Sequence, residues 1–194
     1  WAPEKKRHLF SSLVRDGLKG SGDYGIFALG LYNGQTANKP ELNNSPHIVA
    51  RVTYPWQLRN QIVEASLQAY RGKYVLPKDQ LTTGVRYKSD LIYDDQRVAG
   101  TLVLYPKPFG FTAEYNVGKG PEFNRLTDSI ETRRLKGGFV QFNAKLNSGK
   151  QLFYPFMRYQ YYEGGKKFEK DARSYIVKEL EFGVEWQPYP AFEL

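Results

Sequence analysis

The residues 175–187 read with a period of two and leave few folds open. Ile176, Leu180, Phe182, Val184 and Trp186 fall on one face, and Val177, Glu179, Glu181, Gly183, Glu185 and Gln187 on the other. That is a strand with one apolar and one mostly polar side. It runs for about twelve residues, against the five or six of an average strand. The turn Gln187-Pro188-Tyr189-Pro190 follows, after which Phe192 and Leu194 point outward and Glu193 inward, so a hairpin is expected.

The same alternation recurs along the chain. Phe27, Leu29 and Leu31 alternate with Ala28, Gly30 and Tyr32 in a strand over 24–33. Ile48, Ala50, Val52, Tyr54 and Trp56 oppose Val49, Arg51 and Thr53 over 47–57. Further apolar sets are Val63 to Ala69, Val98 to Leu104, Phe109 to Val117, Gly138 to Leu146, and Phe153 with Met157, Tyr159 and Tyr161, each taken every second residue. The connections between them alternate in length: long at 33–46, 73–95, 118–134 and 163–173, short at 58–60, 106–108, 147–149 and 188–190. A small hairpin inside 73–95 would put Arg86 and Lys88 on one face, and Asp94-Asp95 reads as turn chemistry. Alternating short turns and long loops predict an all-β, transmembrane antiparallel up-and-down β-barrel, of which about nine strands are present.

Aromatic residues add a second signal. Tyr54, Trp56, Phe109, Phe111, Phe153 and Trp186 share the apolar face near short turns, while Tyr115, Tyr159 and Tyr161 share it near long loops. Two membrane girdles are expected from them. The barrel segment covers 24–194. Residues 1–23 form a lead-in whose Leu9-Phe10-Ser11-Ser12-Leu13-Val14 suits either a short strand, such as the end of a preceding one, or a helical turn. The terminal segments, one starting at Trp1 without an apolar leader and the other stopping in mid-alternation, suggest a fragment.

Composition narrows the chemistry. Of 194 residues none is cysteine, which removes thiol and cysteine–metal chemistry, and no run approaches the eighteen or so apolar residues of a membrane helix. The net charge of +8 implies affinity for anions without selecting among them. His8 and His47 are isolated, Gly118-Lys119-Gly120-Pro121 lacks phosphate-loop spacing, and no nucleophile–base pair stands out. Neither an enzyme, a metal site nor a cofactor is expected. A soluble β-barrel or β-sandwich binding module with a basic surface shares the alternation and remains the alternative; strands long enough to cross a bilayer and a polar second face favour the membrane barrel.

The segments GIFALGLYNGQ, HIVARVTYPWQ, LKGGFVQFNAKL, YPFMRYQYYEGGKK and VKELEFGVEWQPYPAFEL resemble the phosphate-selective O and P type porins of the Gram-negative outer membrane. The resemblance spans 24–194 and rests on strand-by-strand phrasing, with no single diagnostic motif. It implies a 16-stranded barrel, a homotrimer, surrounding outer-membrane lipid and lipopolysaccharide, and passive diffusion of small solutes or anions such as phosphate; nucleic acid is not among the implied partners. It also implies that the inward-folding constriction loop lies upstream of Trp1.

The pore-facing parity selects Arg51, Arg97, Lys145 and Arg158 as basic wall candidates, and the small hairpin expected within 73–95 adds Arg86 and Lys88. Glu64, Glu114, Glu179, Glu181 and Glu185 share that face, so the wall is mixed in sign and anion selectivity does not follow from it. The basic excess lies in loops and ends, among them Arg71, Lys73, Arg133-Arg134, Lys166-Lys167 and Lys170. For each such residue, pairing to a neighbouring carboxylate or simple solvation is the ordinary role. Lys178 is the one cation within the apolar strand face, placed to snorkel toward a long loop.

Overall fold

Alternation of this length produces one antiparallel sheet. The computed structural model describes residues 2–19, 27–35, 40 and 42–189. The elements are α1 (Glu4–Arg15), β1 (Phe27–Tyr32), β2 (His47–Leu58), β3 (Gln61–Val75), β4 (Ile92–Leu104), β5 (Phe109–Asn124), β6 (Ser129–Ala144), β7 (Leu146–Ser148), β8 (Gln151–Gly165) and β9 (Ser174–Gln187). Each long strand pairs with the next in sequence, and β7 is a three-residue stub that continues the β6 hairpin against β8. β1 pairs with β2 and β9 with β8, and among the described residues these two edge strands do not pair with each other. The ninth strand of the sheet is therefore β7; the one expected around 192–194 lies outside the described residues, as do 24–26 of the first.

The register carries the alternation across the whole sheet. Trp56, Val63, Leu104, Phe111, Phe142, Met157 and Phe182 are successive cross-strand partners in one row. Tyr54, Ala65, Leu102, Ala113, Val140, Tyr159 and Leu180 form the adjacent row. This outward face is apolar and exposed, with Phe182 at 80% and Leu29 at 67% exposure. The expected girdle residues all lie on it: Tyr54, Trp56, Phe109, Tyr115, Tyr159 and Trp186 are exposed, and Phe111, Phe153 and Tyr161 half-buried. Near the short turns Tyr54 meets Trp56 edge-on at 4.8 Å, and Phe153 stacks on Trp186 at 6.3 Å.

One open reading is decided and three sequence expectations need correction. The lead-in is a helix, α1, because Leu9, Phe10 and Leu13 supply a helical stripe that packs on the sheet. The expected long loop at 118–134 is the far end of the β5–β6 hairpin, whose turn is only 125–128. Its strands read as loop because they project past the apolar band and carry polar residues on both faces, which removes the period-two hydrophobic signal. The connection expected at 73–95 shrinks to 76–91 and contains no hairpin: it holds a short helical turn at Lys78–Gln80 and a parallel bridge from Arg86 to Ser129. Asp94 and Asp95 are strand residues of β4, paired with Lys73 and Gly72 of β3.

Outside the apolar band the connections lock to one another. Tyr74, Leu76, Tyr93, Ile130 and Ala172 form a buried cluster flanked by Leu81, Val85 and Phe123, and Asp171 accepts hydrogen bonds from the Thr82 backbone N–H at 2.7 Å and its hydroxyl at 2.5 Å. In the β5–β6 turn, hydrogen bonds from Thr127, Ser129 and Asn124 hold the Glu131 carboxyl below its ordinary range.

Candidate functional site

The inward face of the sheet is polar, and the chain itself covers its two ends. At the short-turn end, α1 lies across β3 and β4. Phe10 and Leu13 are fully buried against Ile62 and Tyr105, with Leu9, Leu18 and Val103 alongside. The chain leaving α1 brings the Lys19 ammonium 3.4 Å from the buried Glu64 carboxylate, which also accepts the Tyr105 hydroxyl at 3.2 Å. Lys6 donates to the Pro55 carbonyl at 3.0 Å, and Lys145 to the Asp16 carbonyl at 2.5 Å, with Lys107 4.0 Å from the Asp16 carboxylate. Cations at the C-terminal end of α1 meet the negative end of its dipole. A neutral carbonyl end, an ion pair and two apolar anchors together fix the helix in place.

At the long-loop end the closure is ionic. Asp95 is fully buried, accepts the Tyr70 hydroxyl at 3.0 Å and contacts the Lys167 ammonium. Lys167 in turn lies over the Tyr74 ring at 4.7 Å. The buried His47 ring stacks on Tyr70 with centroids 5.6 Å apart and sits 3.3 Å from the Tyr32 hydroxyl. Its room comes from glycine: a Cβ on Gly72 would stand 1.7 Å from the imidazole, and one on Gly34, where φ is +72°, would stand 2.3 Å away.

Between these closures runs a polar strip. Thr53 and Ser66 hydroxyls are 2.9 Å apart, and Glu114 accepts from Gln68 at 3.1 Å and Thr101 at 3.0 Å. On β8 the Arg158 guanidinium lies 4.2 Å from the Phe139 ring centroid and is in register with Glu181 of β9. Gln160 bridges Glu179 and Glu181, at 3.3 Å to the latter. Glu179 and Glu181 are exposed and Glu185 half-buried, hydrogen-bonded to Gln187 at 2.6 Å.

The wall candidates thus divide. Arg51, Arg97, Arg158, Glu114, Glu179 and Glu181 stand on the inward face in the middle of the strands and Glu185 on the same face near the short-turn end of β9, with Arg51 donating to Thr53 at 3.1 Å and Arg97 in register with Tyr70. Glu64 is on the face but consumed by Lys19 and Tyr105. Lys145 lies between β6 and β7, where its ammonium stands 5.9 Å from the Tyr154 ring centroid and donates to the Asp16 carbonyl just after α1. Arg86 and Lys88 belong to the 76–91 connection, where Arg86 donates to the Thr127 carbonyl and Lys88 covers the Tyr93 ring at 5.0 Å. Asp95, Lys167, Lys19 and Tyr105 were missed, since each gains its role from a partner distant in sequence; the alternation continuing through Tyr93 and Asp95 was the available signal for Asp95. Among the described residues His8 lies 3.7 Å from Glu4 and no group of three potential metal ligands occurs.

Comparison with protein-family models, with curated proteins and with solved structures finds no match.

Proposed function

We propose that this chain is part of the wall of an outer-membrane porin that passes small hydrophilic solutes by passive diffusion. The observation that carries the reading is that the exposed apolar band has two boundaries and both run diagonally across the strands in the same sense. At the long-loop boundary the first outward cation is Arg71 on β3; it is Lys136, one cross-strand row lower, on β6, and Lys178, two rows lower, on β9. At the short-turn boundary the aromatic marker is Trp56 on β2, Phe109 one row lower on β5, and Phe153 with Trp186 two rows lower on β8 and β9. The band keeps its height while its register drifts. Strands tilted in a level slab give this drift, because a tilted strand meets each slab surface at a different residue from its neighbour.

The height agrees. Lys178 and Trp186 are eight residues apart on β9, about 27 Å along a strand and about 20 Å after a tilt of about 40°, against an apolar band of about 25 Å in transmembrane barrels. A soluble module would turn its apolar face inward, whereas here the covered face holds Thr53, Glu64, Ser66, Asp95 and His47. In lipid the edges of β1 and β9 that stay unpaired among the described residues would need further strands, so the reading entails closure into a larger barrel. The sixteen strands, trimeric assembly, Gram-negative outer-membrane location and anionic solutes implied by the resemblance belong to the same proposal.

Trp56 and Trp186 supply the test, since both face outward. In a Trp1→Phe background reconstituted into vesicles, brominated lipid should quench their fluorescence, and the reconstituted protein should give conductance steps in planar bilayers. A protein that stays monodisperse without detergent, with tryptophans insensitive to brominated lipid, would overturn the reading.

A further inference from the structure

Resting on that wall reading, we infer that the outward face carries a groove for a phosphate-bearing lipid at the long-loop boundary of the band. A cavity of about 1090 Å³ opens across β2 to β6. Its floor is small and apolar, built by Ile48, Ala50, Ala69, Val98 and Val117. Its rim on the long-loop side is basic, built by Arg71, Lys119, Arg134 and Lys136.

The register makes the rim an array. Arg71, Gln96, Lys119 and Arg134 are consecutive partners in one cross-strand row, and Lys136 stands one row nearer the apolar band, opposite Val117. Two of the four cations are already engaged: Lys119 with Asp94 at 2.9 Å and Lys136 with Glu163 at 3.1 Å. Arg71 and Arg134 are exposed, and among the described residues neither has a carboxylate within ion-pair distance.

Two unpaired guanidinium groups beside two ammonium groups offer parallel donors to phosphate oxygens, a geometry that arginine serves better than lysine. Inorganic phosphate would satisfy the rim and leave the floor bare. A lipid with a phosphorylated head satisfies both, setting acyl chain on Ala50, Ala69, Val98 and Val117 while its phosphate meets Arg71 and Arg134. The sheet pleat enforces this division, because every second residue of β3 to β6 faces the same way and the change from apolar to basic falls within one or two rows. The occupant is therefore the phosphate-bearing lipid of the leaflet on the long-loop side.

Native mass spectrometry of the full-length protein in a zwitterionic detergent, titrated with diphosphoryl lipid A or with phosphatidylcholine, tests the groove. Wild type should retain lipid A over phosphatidylcholine. R71Q/R134Q should retain about thirtyfold less, from the loss of two headgroup cations, and K166Q/K170Q, which removes two cations from the 166–173 connection, should behave as wild type. Equal retention in R71Q/R134Q, an equal loss in K166Q/K170Q, or displacement of lipid A by millimolar inorganic phosphate would overturn the inference. Insertion of all three proteins into phosphatidylcholine vesicles is scored in parallel. Insertion without lipid A preference sinks the groove alone, while failure of wild type to insert sinks the wall reading and the groove with it.

Discussion

On β9 a single step along the chain separates two environments. Phe182 is 80% exposed and belongs to an apolar row seven strands wide, while Glu181, its neighbour, faces Arg158 and the side-chain amide of Gln160. The same contrast holds on β3, where Leu67 is exposed and Ser66 is buried against Thr53. In a protein surrounded by water the covered face is the apolar one. Here the chain covers its polar face, with α1 at one end and interlocked connections at the other, and leaves the apolar face bare. The difference locates the missing energy: whatever stabilises the outward face is supplied by the surroundings, and whatever stabilises the inward face is supplied by specific pairs.

Beneath α1 the inward face carries an apolar patch, and the sharpest break in the contrast comes from there. Phe10 and Leu13 are fully buried, and Phe10→Ala should cost about 3–5 kcal/mol of local stability, with a further loss for Leu13→Ala. Undocking would strip Lys19 from Glu64 and, on the proposed porin reading, open the short-turn end of the pore. Hydrogen exchange of α1 amides should lose protection and single-channel conductance should rise in the double variant. Unchanged protection together with unchanged conductance would show that α1 neither depends on these anchors nor obstructs the mouth.

A second substitution pair compares the faces directly. Phe182→Arg places a charge mid-band on β9 and should cost about 2–4 kcal/mol of folding free energy in lipid. Gln160→Lys places a charge on the opposite face, between Glu179 and Glu181, where an exposed ion pair contributes roughly 0–1 kcal/mol. Denaturant titration of the folded fraction in vesicles measures both, and similar costs for the two variants would erase the distinction between faces.

How much of this was legible in the sequence follows from the kind of signal each part leaves. Strand identity and outward parity were readable from β2, β3, β8 and β9 because apolar residues mark every second position there. The β5–β6 extension was not, since Gly118, Gly120, Arg133 and Arg134 carry no such mark; its pairing is set by a turn at 125–128 and by register inherited from the band below. The α1 stripe was too short to separate from a strand before its partners Ile62 and Tyr105 were known. Asp95 illustrates the limit for the site: an Asp-Asp pair looks like a turn locally, and only Tyr70 and Lys167, contributed by β3 and by the 166–173 connection, make one of the two a buried anchor.

The smallest expected effect concerns the charge of the polar strip. Arg51, Arg97 and Arg158 face Glu114, Glu179, Glu181 and Glu185 on the inward side, after Glu64 is drawn off by Lys19. Glu179 and Glu181 are the exposed members, so their fields act through water and weaken with salt. Replacing Glu179, Glu181 and Glu185 by Gln keeps the side-chain shape and the Gln160 contacts while removing three negative charges from one strand. Stability should change little, because exposed pairs contribute roughly 0–1 kcal/mol each, but the reversal potential in a potassium chloride gradient should move toward chloride, more at low than at high salt. Arg158→Gln should move it the opposite way. If the triple variant leaves the reversal potential where it was, these carboxylates do not face the conducting path, and the polar face of β9 is a buried seam instead of a pore wall.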